Sequence, residues 1–308
     1  MSLDLPPAFV KNVTQSFPEG ATWLQRLPDL LAEAAQRWDL TLGVPFLLSF
    51  NYVCAAWRSD GTPVVLKIGV PNVELTSEIN TLRVYDGQGA CRVYAADPPT
   101  GMLLLERLNP GTMLATLVDD DKATEIAADV LRAIQRPVPQ NNGFLSLRGW
   151  FDDLKRLRPR FGGETGPFPE KLVGMVESLL PELFAEERLQ ELLHGDFHHF
   201  NILDSERGWL VIDPKGVVGA PEYEAGPFLM NPWDQMPNET EAIKRTQRRI
   251  AILSERLGFD RQRLWRWAVC HSLLSSWWDI AEDDSGGENT RAWEFSLAWM
   301  EILLQTKV

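Results

Sequence analysis

The run His194-Gly195-Asp196-Phe197-His198-His199-Phe200-Asn201, followed by Ile212-Asp213-Pro214-Lys215-Gly216, constrains the fold more than any other feature of this chain. Between the two segments, Asn201–Asp204 and Trp209–Ile212 are short apolar runs flanking the turn Ser205-Glu206-Arg207-Gly208, which reads as a β-hairpin. Asn201 stands at its start and Asp213 at its exit, so a hairpin brings both side chains to one end. An acid, a carboxamide and a second acid at this spacing suit phosphoryl transfer. That chemistry needs magnesium held against phosphates, developing charge neutralised and an acceptor proton received, with little covalent work by the protein. Asp196 is the candidate base for an acceptor hydroxyl. Asn201 and Asp213 are candidate magnesium ligands, because this ion prefers carboxylate and amide oxygens.

Upstream, Trp23, Leu27, Leu30, Leu31, Ala34 and Trp38 recur at helical spacing, and Pro28 is expected in the first turn of the second of two short helices. Strands are expected over Val44–Phe50, Tyr52–Arg58 and Pro63–Gly69, the last two joined at Ser59-Asp60-Gly61-Thr62. A helix from Pro71 to Tyr85 carries Leu75, Ile79 and Leu82 on one face, and strands Cys91–Ala96 and Met102–Leu108 follow. Lys67 interrupts the apolar strand Val64-Val65-Leu66-Lys67-Ile68, where a buried ammonium is costly without a partner. Glu78 lies on the apolar face of the following helix, which favours it over Glu74 as that partner.

These motifs resemble the aminoglycoside phosphotransferase branch of the protein-kinase-like fold. In that branch His-Gly-Asp stands for the protein kinases' His-Arg-Asp, and Ile-Asp-Pro for their Asp-Phe-Gly. Leu193-His194-Gly195-Asp196 with the doubled His198-His199, Gly208–Gly216 and Asn231-Pro232-Trp233 resemble, more narrowly, the streptomycin 6-kinase and aminoglycoside/hydroxyurea resistance kinase group. The resemblance implies an α+β, bilobal architecture. Residues 1–108 would form a nucleotide-binding lobe with a five-stranded antiparallel sheet and one helix, and residues 109–308 a mostly α-helical catalytic lobe. It implies ATP and Mg2+, with Lys67 on the α- and β-phosphates and paired to Glu78. Adenine would meet the carbonyl of Glu106 and the N–H of Leu108 at the hinge. The loop Ser49-Phe50-Asn51-Tyr52 lacks the kinases' glycines, leaving Ser49 and Asn51 as phosphate contacts. His198 occupies the position where protein kinases carry a lysine near the phosphate.

Beyond Asn109-Pro110-Gly111-Thr112 the periodicity is helical, with helices expected over Asp119–Arg136, Pro169–Leu180, Pro181–Leu193, Glu239–Leu257, Arg261–Ala281 and Asn289–Leu304. The formal charge of −13 disfavours a nucleic-acid partner and is compatible with a cationic small-molecule acceptor, an aminoglycoside by the resemblance. Glu222, Glu224 and Asp279 are candidate carboxylates for its ammonium or guanidinium groups. Glu282, Asp283, Asp284 and Glu288 lie close by in sequence, and Trp277 and Trp278 are candidate stacking surfaces. Three dispersed cysteines, no apolar run of membrane-spanning length and no signal-like N-terminus lead us to expect a soluble cytoplasmic protein. The alternatives are a metabolic kinase for an amino alcohol or thiosugar, a nucleotide-binding module without turnover, and a hydrolase with a metal on His194, Asp196, His198 and His199. His194 is expected to be structural, bonded to backbone around its loop.

Overall fold

Helices α1 (Pro7–Ser16) and α2 (Gly20–Trp38) lead the computed structural model, which describes residues 3–140, 143–185, 189–281 and 292–308. Contrary to the expected break, α2 continues through Pro28. An interior proline costs a helix about 3 kcal/mol. Here Trp23 and Leu27 before it and Leu30, Leu31 and Ala34 after it are buried on one stripe. Each large apolar side chain so buried returns roughly 1.5–3 kcal/mol, so the stripe outweighs the lost bond.

Asp39 adopts a left-handed conformation (φ 52°) that stops α2, and strand β1 (Leu40–Pro45) begins at once. The first strand therefore lies earlier than the expected Val44–Phe50. Its pairing of Leu40 with Arg58 and Leu42 with Ala56 leaves residues 46–51 as the connecting loop. In that loop Leu48 is buried while Phe46, Leu47 and Phe50 are exposed.

Strands β2 (Tyr52–Arg58), β3 (Pro63–Ile68), β4 (Val93–Asp97) and β5 (Met102–Glu106) complete an antiparallel sheet of order β1-β2-β3-β5-β4. Between β3 and β4 runs α3 (Val73–Tyr85), capped by Asn72, whose side chain accepts the Leu75 N–H at 2.8 Å. Strand alternation divides the sheet's residues between two cores. Val64, Leu66 and Ile68 of β3 and Met102 and Leu104 of β5 pack with Phe9, Trp23 and Leu27. Leu103 and Leu105 join Leu75, Ile79 and Leu82 of α3 in a core that continues through Leu131, Phe151 and Trp267. Lys67 pairs with Leu103 across the ladder, so it shares the α3 face.

After the connector at residues 107–109, β6 (Pro110–Met113) leads to α4 (Asp120–Ile134), β7 (Leu145–Ser146), α5 (Leu147–Asp152), α6 (Leu157–Arg160) and α7 (Glu170–Ala185). Then come β8 (Glu191–Leu193), β9 (Ile202–Ser205), β10 (Leu210–Val211), β11 (Val217–Gly219) and α8 (Ala225–Met230). The chain closes with α9 (Glu239–Leu257), α10 (Arg261–Ala281) and α11 (Ala292–Gln305). Helix α7 runs through Pro181, where two helices were expected, because Leu172, Val173, Val176 and Leu183 bury one continuous face. Glu191–Leu193 is strand rather than helix end, paired to β11. Two small sheets, β10-β9-β6 and β7-β11-β8, frame the loops that carry the sequence motifs. Among the described residues no helix is long and apolar enough to cross a membrane.

Candidate active site

The β9–β10 hairpin forms as its sequence implies, and the Ile212 N–H donates to the Asn201 carbonyl at 3.0 Å, closing its open end. Asp213 follows in the left-handed region (φ 60°), uncommon for a residue with a side chain. Its carboxylate meets the Lys67 ammonium at 2.5 Å. Lys67 also donates to both Glu78 oxygens, at 2.7 and 2.8 Å, so Glu78 rather than Glu74 is its helix partner. Lys67 and Glu78 are each 5% exposed, so the cation and one acid are buried while the Asp213 side chain stays partly exposed. Burial works against the Lys67 charge, but Asp213 and Glu78 overcome it and raise its pKa. Burial pushes Glu78 up to about 6 despite the Lys67 ammonium, and the Asp213 charge adds to the push. Burial would also raise Asp213, yet Lys67 and Lys215 hold it well below the usual carboxylate range.

Asp196 lies on the loop leaving β8. The Asn201 Nδ2 donates to the Asp196 carbonyl at 3.0 Å, which leaves Oδ1 as the carboxamide atom available to a hard cation. The His198 Nε2 stands 3.4 Å from the Asp196 Oδ1. Burial opposes ionisation of Asp196, but His198, Lys215 and His194 keep its carboxyl far below the ordinary value. His194 locks the two motifs together: its Nε2 donates to the Ile212 carbonyl at 2.9 Å, and its Nδ1 accepts the Asp196 N–H at 3.2 Å. That neutral tautomer agrees with a pKa brought down to about 4 by burial. His199 instead stacks on Phe228, centroids 4.3 Å apart, with its Nε2 3.3 Å from Arg249. His194 and His198 thus both meet Asp196 while His199 serves Phe228 and Arg249, and among the described residues no group of three or more His, Cys, Asp or Glu side chains is arranged to hold a metal ion.

The expected acceptor carboxylates lie in different settings. Glu224 is 1% exposed, and its oxygens accept the backbone N–H of His194 at 2.5 Å and of Gly195 at 3.2 Å. It supports the loop of Asp196 from beneath instead of facing a ligand. Glu222 is engaged by the Arg263 Nε at 3.0 Å, beside a cavity of about 770 Å³ that also includes Gln135, Glu191 and Phe259. Asp279 is half-buried in the last turns of α10, whereas residues 282–288 lie outside the described residues. Trp277 is core, 1% exposed with its Nε1 donating to Asp153 at 2.9 Å, and Trp278 packs edge-on against Trp150.

At the far side of the cleft, the Glu106 carboxylate takes the Arg92 N–H at 3.0 Å and the Arg207 guanidinium at 3.0 and 2.5 Å, tying β5 to the hairpin turn. Leu108 is buried in the connector. The Ser49 carbonyl accepts from Asn12 at 3.2 Å, and the Asn51 carboxamide occupies space that Gly69 leaves by lacking a side chain. Sequence reasoning does not single out Lys215 or the support role of Glu224. Lys215 stands two residues after Asp213 in Asp213-Pro214-Lys215-Gly216, so no apolar run sets it apart as one does Lys67. Nothing in the sequence pairs Glu224 with amides some thirty residues away.

Comparison with known proteins agrees with this geometry. Residues 37–284 match the family described as aminoglycoside/hydroxyurea antibiotic resistance kinase. The chain belongs to that family. Streptomycin 6-kinase of Streptomyces glaucescens is 33% identical to the chain over 92% of each sequence. Hydroxyurea phosphotransferase of Kitasatospora aureofaciens is 31% identical, over 86% of this chain and 76% of that one. The fold extends further: choline kinase LicA from Streptococcus pneumoniae, in its complex with AMP, superposes with a TM-score of 0.65 at 13% identity, covering 90% of this chain and 98% of that one. This resistance-kinase family member is accordingly a nucleotide-using phosphotransferase with the bilobal protein-kinase-like fold.

Proposed function

We propose that the chain transfers the γ-phosphoryl group of ATP to a hydroxyl of a small cationic molecule, an aminoglycoside of the streptomycin type. The observation that carries this reading is the convergence of Lys67, Glu78 and Asp213 on one side and Asp196 and Asn201 on the other, joined through His194. The names of the relatives favour it over a metabolic kinase.

The donor set fits magnesium. Asp213 is ionised, and Asn201 has its amide nitrogen bonded elsewhere, so both offer hard oxygens. When bound, the ion would neutralise charge on the β- and γ-phosphates. Lys67 would hold the α- and β-phosphates, with Ser49 and Asn51 nearest from the β1–β2 loop. The Glu106 carbonyl and Leu108 N–H would take adenine. Asp196, held ionised, would accept a hydrogen bond from the acceptor hydroxyl and orient its oxygen in line. That oxygen bonds to the γ-phosphorus, the bond from phosphorus to the bridging oxygen breaks with its electron pair going to ADP, and the hydroxyl proton passes to the Asp196 carboxylate. His198 would steady Asp196, and Asp279 would meet a cationic group of the acceptor. In this reading residues 1–108 serve the nucleotide and residues 109–308 the chemistry and the acceptor.

The test is an acceptor screen with labelled ATP and magnesium across aminoglycosides, amino alcohols and sugars, repeated on Asp196→Ala. We expect label on an aminoglycoside, and in the variant a loss of about 10²-fold or more at unchanged nucleotide affinity. Transfer only to amino alcohols or sugars would overturn the acceptor assignment, and near-normal turnover by the variant would remove Asp196 from its role.

A further inference from the structure

Lys215 is a cation whose backbone lies close to both acids of the site, and it is paired with neither. Its backbone is fixed, because its N–H donates to the His194 carbonyl at 2.7 Å. Its stem crosses Gly195: a Cβ on that glycine would lie 3.3 Å from the Cβ of Lys215. The side chain is half-buried. Lys215 follows Asp213 by two residues and lies against His194 and Gly195, which lead directly to Asp196, so its side chain starts within reach of both acids. Yet among the described residues Lys215 makes no side-chain hydrogen bond and no ion pair within 4 Å, whereas Lys67 nearby has three acceptors.

A half-buried ammonium with three unused N–H groups, carried beside two carboxylates that it does not pair with, is suited to an anion that enters there. On the proposed function, that anion is the phosphoryl group in flight. The acceptor oxygen is placed by Asp196 and the phosphates by Asp213, so the group passing from one to the other crosses the interval that Lys215 overlooks.

We propose that Lys215 is a catalytic residue whose ammonium hydrogen-bonds a non-bridging oxygen of the terminal phosphoryl group as it moves from ATP to the acceptor. The proposal rests on the phosphotransfer reading and adds a ligand contact to it. As the bond to the bridging oxygen breaks and the bond to the acceptor oxygen forms, negative charge is spread over the three non-bridging oxygens. A fixed cation there stabilises the transition state more than the ground state. Lys67 is not placed for that duty, since Glu78 and Asp213 hold it on the α3 side of the cleft.

The test compares Lys215→Met and Lys215→Arg with the unmodified protein, using magnesium with ADP and magnesium with a non-hydrolysable ATP analogue. Lys215→Met should bind ADP within about threefold of the parent, which also shows that it is folded, and should bind the γ-phosphate-bearing analogue distinctly more weakly. With an accepted hydroxyl substrate its kcat should fall by about 10²–10³-fold, the scale for losing one preorganised donor, and Lys215→Arg should recover part of it. Equal losses of ADP and analogue affinity in both variants would make Lys215 a structural counter-charge and overturn the proposal, as would analogue binding and turnover like the parent's. The binding comparison needs no acceptor. A parent protein that binds both nucleotides but phosphorylates nothing would defeat the proposed acceptor class while leaving the contact of Lys215 decided by the analogue.

Discussion

The backbone N–H of His194 donates to the buried carboxylate of Glu224 at 2.5 Å. The same carboxylate takes the Gly195 N–H, so one side chain satisfies two amides beneath Asp196. Glu224→Gln keeps an acceptor oxygen of the same reach and should retain most turnover and stability. Glu224→Leu leaves both amides unsatisfied at about 1–3 kcal/mol each and should lower the midpoint of urea unfolding together with kcat. Indistinguishable Gln and Leu variants would show that the carboxylate does not organise the loop.

The same group sets a pH dependence. Burial pushes Glu224 up to about 8, against an ordinary value of 4.5, although its bonds to Gly195 and His194 pull the other way. A raised folded-state pKa means that its contribution to stability is fully present below about 4.5 and is lost as pH rises through about 8. Relative to Glu224→Gln, the parent should therefore lose a few kcal/mol of unfolding free energy between those limits, with a slope of at most about 1.4 kcal/mol for each step of one in pH. Parallel stability curves for the two proteins over this window would contradict the assignment.

Removal of the metal should uncouple the nucleotide. In a thermal melt, ATP with magnesium at a hundred times its dissociation constant should add about 2.7 kcal/mol of stability. Chelation with EDTA should abolish most of that gain. Asp213→Asn should show little gain even with magnesium present, and a variant that keeps the full magnesium-dependent stabilisation would exclude Asp213 as a ligand.

Gly216 is where the Asp213 segment touches α3. It has φ 68°, its carbonyl accepts from the Ser77 hydroxyl at 2.7 Å, and a Cβ there would fall 2.0 Å from the Thr81 Oγ1 and 2.6 Å from the Ser77 Oγ. Gly216→Ala meets both a left-handed backbone and a closed wall. We expect a loss of about 1–3 kcal/mol in stability and weaker nucleotide binding, because α3 also carries Glu78. Calorimetry of unfolding and a nucleotide titration would check both, and a variant of parental stability would refute the close approach.

Much of this was legible because it depends on short-range pattern. Lys67 stands out against Val64, Leu66 and Ile68 through the two-residue alternation of a strand, and the hairpin between Asn201 and Asp213 is written in its own turn residues. What was not legible depends on partners remote in sequence. Pro28 and Pro181 look like helix breaks until the buried stripes on both sides of each are seen. Phe46, Leu47 and Phe50 have the composition of a strand, but Asp39 ends α2 early enough that the strand is spent before they are reached. Glu224 carries the same charge as any surface glutamate, and only the tertiary fold reveals that it is bonded to backbone.

If Lys67 and Asp213 hold phosphates and metal as proposed, their contact makes loading of the site an exchange of partners. On the proposed function, a divalent ion would have to win Asp213 away from an ammonium, and a triphosphate would have to draw that ammonium away from an acid. Either ligand arriving alone would break the Lys67–Asp213 bond and leave Lys67 with Glu78 alone or Asp213 without that ammonium, whereas both arriving together would re-pair every charge. Metal and nucleotide are thus expected to be taken up synergistically, with neither held firmly without the other.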